Sequence, residues 1–375
     1  MRSASAYPQV PGRSYLKFFG LCVVAFFAVS FFSDGPDNNQ EVPGMGGSRP
    51  APANLRAPAG WAHLSQLLAV GLGLTEQAAQ VIKDVKSGHK EDLKVKGVTK
   101  EGVDEPVTVA DTNSNLVFVN GYKNHFRGIN ILSEETEPEY SDVSVEDPSL
   151  PPGLELTSDP SLNLKDVLII IDPLDATKEF GENLLEYVTT MVCVVHKGTP
   201  IAGIINQARA LFIKICQNSV FKDDNPPVVG VIPLEDEDTG VLFNRVKVPA
   251  TGDAAFTVAI SRSHTGEGSN VVEKYLDHHK SLLAGGSGYK SLLVVDGKAE
   301  AYIHVTNIKS WDVCAPEAVL KASGGSFSNV EGEALQYPME YDSSHSQALF
   351  TRGIIASASA QEHKFFVESL GGNMS

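Results

Sequence analysis

The apolar positions fall into two rhythms. From Trp61 onward, Leu64, Leu67, Leu68, Leu74, Ala78, Val81, Ile82 and Val85 recur every three or four residues as far as Gly88. That is the spacing of one helical face, closed by a C-terminal glycine. Further on the rhythm shortens. Residues 167–171, 189–195 and 201–205 are runs of β-branched and aliphatic side chains that predict strands, with Lys197-Gly198-Thr199-Pro200 joining the last two as a hairpin. Residues 256–260, 291–295 and 299–304 predict three more, the final pair turned at Asp296-Gly297. "DVCAPEAVLKASGG" (312–325) predicts a helix ended by glycines, whereas "NLVFV" (115–119) fits a strand or a helical turn. Helices and strands interleave without a regular βαβ order, so an α+β sandwich of layers is expected rather than a doubly wound sheet.

A third kind of apolar run stands at the N-terminus, "KFFGLCVVAFFAVSFF" (17–32). Arg2, Arg13 and Lys17 precede it, and Asp34 and Asp37 follow. The charge bias predicts a short membrane anchor with its N-terminus in the cytosol. Ala28-Val29-Ser30 also resembles a signal-peptide cleavage site, but Phe31 and Phe32 carry the apolar run past it and favour an uncleaved anchor. Residues 34–60, rich in Pro, Gly and Asn, predict a flexible stem. The expected organisation is a cytosolic tail (1–16), a transmembrane signal anchor (17–33), a stem (34–60) and one lumenal domain (61–370).

Composition narrows the chemistry. The chain has 375 residues, 42% of them hydrophobic, and a formal charge of −16. Such a balance argues against binding a nucleic acid polymer, which needs clustered Lys and Arg. It allows a small anionic substrate if a metal ion supplies positive charge. The four cysteines, Cys22, Cys193, Cys216 and Cys314, form no CxxC pair and are expected to be buried free thiols.

The candidate chemistry centres on "DVLIIIDPLDATKEF" (166–180). A hydrophobic strand ends in Asp172 and Asp175, and Pro173 between them turns the chain so that both carboxylates and the Leu174 carbonyl can converge. Oxygen ligands of this kind suit Mg²⁺. Thr177 falls at a helix start, where free N–H groups attract phosphate. An N-cap plus a turn aspartate would explain this segment alone. Three other acids stand at comparable junctions: Asp111 in "EPVTVAD", Glu134 in "SEE" and Asp312 in "KSWDVCAPEA". "AGGSGYKS" is not a P-loop, because Tyr289 stands where Gly must precede the lysine.

Taken in order, "VTVAD", "EE", "DPLDAT" and "WD" resemble the lithium-sensitive, magnesium-dependent phosphatase superfamily that includes the inositol monophosphatases. "YVTTMVCVV", "ISRSH", "AGGSGYKSL" and "AYIHVTNIKSWDVCA" are similar to its membrane-anchored, Golgi-resident branch, which removes the 3′-phosphate from adenosine 3′,5′-bisphosphate. The resemblance implies a layered α/β/α/β/α sandwich. It assigns two or three Mg²⁺ ions to Glu134, Asp172, Leu174 (through its carbonyl), Asp175 and Asp312, with Asp172 bridging two of them. It makes Thr177 and Asp111 the proton-accepting pair, and places Thr177, Ser261, His264, Gly286 and Lys290 against the substrate. The implied substrate is adenosine 3′,5′-bisphosphate, giving AMP and phosphate; inositol monophosphate is the alternative. An inactive membrane-anchored scaffold is a third reading, disfavoured because all six acids and hydroxyls are present. The implied location is a Golgi or other secretory-pathway membrane, with a homodimer allowed. One departure stands out: the family's Cys-Ala-Gly after the WD pair is Cys314-Ala315-Pro316 here, a proline expected in the first helical turn, where it costs no hydrogen bond.

Overall fold

The structure is a computed structural model that describes residues 58–371 apart from 89–93, 99–103, 152–153, 155, 157, 208–227, 232–240, 244–255, 263–264, 277–278 and 342–347. The 17–33 anchor, nearly all of the stem, Cys22, Cys216 and His264 lie outside the described residues. Among the described residues no helix is long and apolar enough to cross a membrane.

Two sheets carry the architecture. The larger has six strands in the order Val241–Phe243, Val228–Val231, Thr199–Gln207, Thr189–His196, Val167–Asp175 and Asn130–Ser133. Its neighbours are antiparallel except the last pair, which is parallel. The second runs His279–Ala284, Phe256–Ser261, Ala301–His304, Ile354–Ser357 and Ser326–Ser328; its first three strands are parallel and the rest antiparallel.

Among the described residues strand alternation distributes the apolar side chains into three large cores, and a fourth, smaller cluster gathers Ile82, Ala110, Leu174, Phe180 and Val188. Every residue of the Val167–Asp175 strand is buried. Ile169 and Ile171, with Val192 and Val194, face the Leu64–Ser87 and Val109–His125 helices. Leu168 and Ile170, with Met191, face the other way, onto the Ser287–Val295 and Ser310–Ala322 helices and, beyond them, Tyr302 and Ala356 of the second sheet. The far side of that sheet, Val258, Ile260, Ile303 and Ile355, packs on Val272 of the Thr265–Tyr275 helix and on Phe366 and Leu370 of the Ala360–Leu370 helix. The layers therefore run helix, sheet, helix, sheet, helix, as the sequence led us to expect.

Several local expectations are corrected. Residues 291–295 belong to the Ser287–Val295 helix, not to a strand. A short apolar run has no decisive period, and here the helix start is held from outside, by Asp175 accepting from the Ser287 and Gly288 N–H groups. "NLVFV" lies within the Val109–His125 helix. Cys193 and Cys314 are not free thiols but a disulfide, 121 residues apart in sequence. Closing so long a loop removes roughly 5 kcal/mol of unfolded-chain freedom on the loop-closure account. Pro316 does not stand in the first turn, because the helix begins at Ser310. It lies in the interior and removes the bond its N–H would have made to the Asp312 carbonyl.

Candidate active site

The acids meet where the Val167–Asp175 strand ends. Its pairing with Thr189–His196 is regular up to Asp172 and resumes at Asp175 after a bulge, which re-aims the two carboxylates. Asp172 Oδ1 accepts from the Leu174 N–H at 3.1 Å. Asp175 is more tightly held: it accepts from Thr189 Oγ1 at 2.9 Å, Ser287 N at 3.1 Å and Gly288 N at 2.8 Å. Asp312 arrives from the first turn of the Ser310–Ala322 helix, where its Oδ2 accepts from the Lys309 N–H at 2.9 Å. One carboxylate oxygen from each of Asp172, Asp175 and Asp312 lies within 4.8 Å of the others.

Glu134 follows the Asn130–Ser133 strand, and its N–H donates to the Ile171 carbonyl at 3.1 Å, bringing it beside the same strand end. The Lys96 ammonium, from the Lys94–Val98 strand, donates to Glu134 at 2.6 Å and also to Glu135. Burial works against the Lys96 charge, yet the two glutamates outweigh it and raise its pKa.

These acids are out of place as bare anions. Burial, then the charges of Glu134, Asp175 and Asp312, push Asp172 well above the carboxylate range. Burial and Asp175 push Asp312 up to about 7. Glu134 is raised to about 8 by burial, Glu135 and Asp312, although Lys96 pulls it down. A largely buried group of hard oxygen donors that repel one another, with Lys96, Lys290 and Lys309 as partial compensation, fits a divalent cation.

A second pair stands beside the cluster. Asp111 closes a capping box at the start of the Val109–His125 helix, accepting from Thr108 N at 2.7 Å and Thr108 Oγ1 at 2.5 Å. Its other oxygen accepts from Thr177 Oγ1 at 2.8 Å. Thr177 Oγ1 also lies 3.1 Å from the Leu174 carbonyl. Burial raises the proton affinity of Asp111, against the lowering effect of the Thr108 and Thr177 bonds.

Residues 63–374 match the inositol monophosphatase family. Inositol monophosphatase 3 of Xenopus laevis is 35% identical over 285 residues, 73% of this chain and 75% of the relative. The Golgi-resident adenosine 3′,5′-bisphosphate 3′-phosphatase of Homo sapiens is 32% identical over 306 residues, 79% of this chain and 78% of the relative. The chain belongs to the inositol monophosphatase family. It is a phosphoric monoester hydrolase of that family, which is generally magnesium-dependent. The fold agrees: the suhB protein of Bartonella henselae superposes with a TM-score of 0.57 at 14% identity, over 82% of this chain and 99% of that one.

Of the family residues expected from sequence, the structure groups Asp172, Asp175 and Asp312 and puts Glu134 in electrostatic reach of them. Leu174 is buried and turns its carbonyl toward Thr177. Ser261 ends the Phe256–Ser261 strand, in register with Ala284 of the parallel His279–Ala284 strand, so the segments after both strands emerge side by side. Gly286 is obligatory there: its φ is +65°, and a Cβ would fall 2.7 Å from Asp175 Oδ2. Lys290 is buried, donates to the Gly286 carbonyl and lies over the Tyr302 ring. It faces the carboxylates rather than open solvent, since Asp175, Glu179 and Asp312 all act on its charge.

Sequence reasoning missed Lys96, Thr108, Thr189 and the pair Glu179–Arg262 (3.1 Å), which links the turn after Thr177 to the segment after Ser261. Only Thr108 carried a signal, the Thr-x-x-Asp spacing of a capping box. The others meet the site through tertiary contacts alone.

Proposed function

We propose that this protein hydrolyses the 3′-phosphate of adenosine 3′,5′-bisphosphate to AMP and phosphate, at the lumenal face of a Golgi or other secretory membrane anchored by residues 17–33. The observation that carries the phosphatase chemistry is the Asp111–Thr177 hydrogen bond (2.8 Å) beside the converging carboxylates. Glu134, Asp172, Asp175, Asp312 and the Leu174 carbonyl would hold two or three Mg²⁺ ions, which would supply the positive charge that lowers the pKa of water and stabilises charge on phosphate and leaving oxygen. Thr177 Oγ1, with its own hydrogen directed at Asp111, is free to accept a hydrogen from the attacking water. Asp111, whose proton affinity burial has raised, receives the proton that Thr177 relays. Lys290 offsets part of the negative charge of Asp175, Glu179 and Asp312.

Thr177→Val keeps the shape and removes the relay; kcat should fall by about 10²-fold or more while the melting temperature changes little. An unchanged kcat would remove Thr177 from the proton path.

The nucleotide reading is supported by the likeness of the "ISRSH" and "AGGSGYKSL" segments to that branch, by Ser261 and Ala284 ending paired parallel strands, and by the relatives named for that activity. The oxidising compartment is supported by the Cys193–Cys314 disulfide. The second reading, inositol monophosphate, is favoured by the 35% identity to a relative named inositol monophosphatase 3. Phosphate release by the purified chain with Mg²⁺ decides: kcat/KM should be at least about 10-fold higher for adenosine 3′,5′-bisphosphate than for inositol 1-phosphate. The reverse ratio would establish the inositol reading.

A further inference from the structure

The Cys193–Cys314 disulfide is wholly buried, with Cα atoms 5.7 Å apart, and it ties the Ser310–Ala322 helix, which bears Asp312, to the Thr189–His196 strand, the neighbour of the strand that bears Asp172 and Asp175. Cys193 is opposite Ile170 on the strand that bears Asp172, and Met191, two residues earlier, is opposite Asp172 itself. Cys314 is two residues beyond Asp312 in the Ser310–Ala322 helix. On its other side Cys193 is opposite Gly203. A Cβ at Gly203 would lie 2.6 Å from the Ala315 carbonyl oxygen. The helix is thus pressed onto the sheet at Cys314-Ala315.

At this point the helix's own bonding is interrupted. Pro316 offers no N–H to the Asp312 carbonyl, four residues earlier, so the turn bearing Asp312 lacks one rung of the ladder. The Asp312 carboxylate meanwhile faces those of Asp172 and Asp175 across less than 4.8 Å. Like charges push that turn away from the strand. The hydrogen bond from Lys309 N holds the carboxylate only to its own turn. The covalent link opposes the separation together with the packing of Val313, Cys314 and Ala315 in the core.

We propose that Cys193 and Cys314 are positioning residues: their disulfide holds the Asp312 turn, weakened by Pro316, to the Thr189–His196 strand, and through that strand's pairing fixes its distance from Asp172 and Asp175, so that affinity for divalent cations depends on the bond. This rests on the reading of these acids as a metal site. The test is Mg²⁺ titration by calorimetry on the full chain, as wild type, as Cys193→Ala with Cys314→Ala, and as that double variant with Pro316→Ala.

Loss of the disulfide should weaken Mg²⁺ binding about tenfold or more, a coupling typical of groups in contact. KM at saturating Mg²⁺ should move less than about twofold. Pro316→Ala, by restoring the helical bond, should recover much of the lost affinity. Equal Mg²⁺ affinity with and without the cysteines, or no recovery with Pro316→Ala, overturns the proposal. Wild-type protein that takes up no Mg²⁺ instead overturns the metal reading beneath it. Should the double variant not fold, wild-type chain made under reducing conditions replaces it. Oxidised glutathione then re-forms the bond, taking up two electrons and two protons to leave two glutathione thiols. Mg²⁺ affinity that rises on oxidation supports the brace; affinity unchanged by oxidation refutes it.

Discussion

Asp172→Asn is expected to abolish turnover and at the same time to raise the melting temperature of the metal-free protein. Both effects follow from one fact: Asp172 is buried among acids that disfavour its charge. Asn has the same shape, and its side-chain oxygen can still accept from the Leu174 N–H. What it loses is negative charge, the property a bridging metal ligand needs. Turnover should fall at least about 10³-fold, the scale of removing a central electrostatic contact to the transition state. In EDTA the same change relieves repulsion from Glu134, Asp175 and Asp312, worth about 1–3 kcal/mol, or a few degrees. Phosphate release and a melting curve in EDTA check the two halves. Turnover retained within about tenfold would end the assignment of Asp172 to metal, and a lowered melting temperature would end the account of repulsion. Asp175 is a poorer probe than the sequence suggests. It accepts from Thr189, Ser287 and Gly288, so an Asn amide would set a donor against donors. Asp175→Asn should therefore lose activity and stability together.

Much of this site was legible because its residues sit at the ends of short, strongly patterned segments. The β-branched run 167–171 pointed to an interior strand, and Pro173 disfavoured a helix through Asp172 and Asp175, which placed both acids at a strand end. The three other acids each closed a similar junction, and it was their joint order that made the family recognisable. A layered α+β sandwich was suggested by strands and helices without a βαβ rhythm, whereas the five-layer order came from the family resemblance alone. The failures lie where a residue's role depends on a partner far away in sequence. Residues 291–295 form a helix because its first N–H groups are accepted by Asp175, more than a hundred residues earlier. Cys193 and Cys314 pair because the helix crosses the sheet at Gly203, and no local spacing encodes that crossing. Pro316 was misjudged by position: even counted from Asp312 it is the fifth helical residue, past the four unpaired N–H groups, and the helix in fact starts still earlier, at Ser310. Lys96 was invisible because a lysine in a polar hairpin looks like a solvated surface until its two glutamates are placed beside it.

The metal-free protein should lose stability as pH rises from mildly acidic to mildly basic, and Mg²⁺ should reverse that loss. Glu134 ordinarily releases its proton near 4.5 and is raised to about 8 in the folded chain. Asp312 ordinarily releases its proton near 3.8 and is raised to about 7. Between each pair of values the folded state keeps a proton that the unfolded state has given up, so raising the pH favours unfolding. The stabilising contribution is complete below the unfolded values and is lost as pH climbs through the folded ones, at up to roughly 1.4 kcal/mol per pH unit for each group. Lys96 moderates the loss by supplying a positive charge to Glu134. Mg²⁺ competes with these protons for the same oxygens, so it should raise the melting temperature little at about pH 5 and most at about pH 8. Melting curves in EDTA and in Mg²⁺ across that range measure both slopes. Other groups titrate there too, but they are common to the wild type and Asp172→Asn, so the difference between the two proteins isolates the cluster. If that difference is flat with pH, or if the Mg²⁺ shift is the same at both ends, the buried acids are not carrying charge into the folded state. The metal would then have nothing to neutralise.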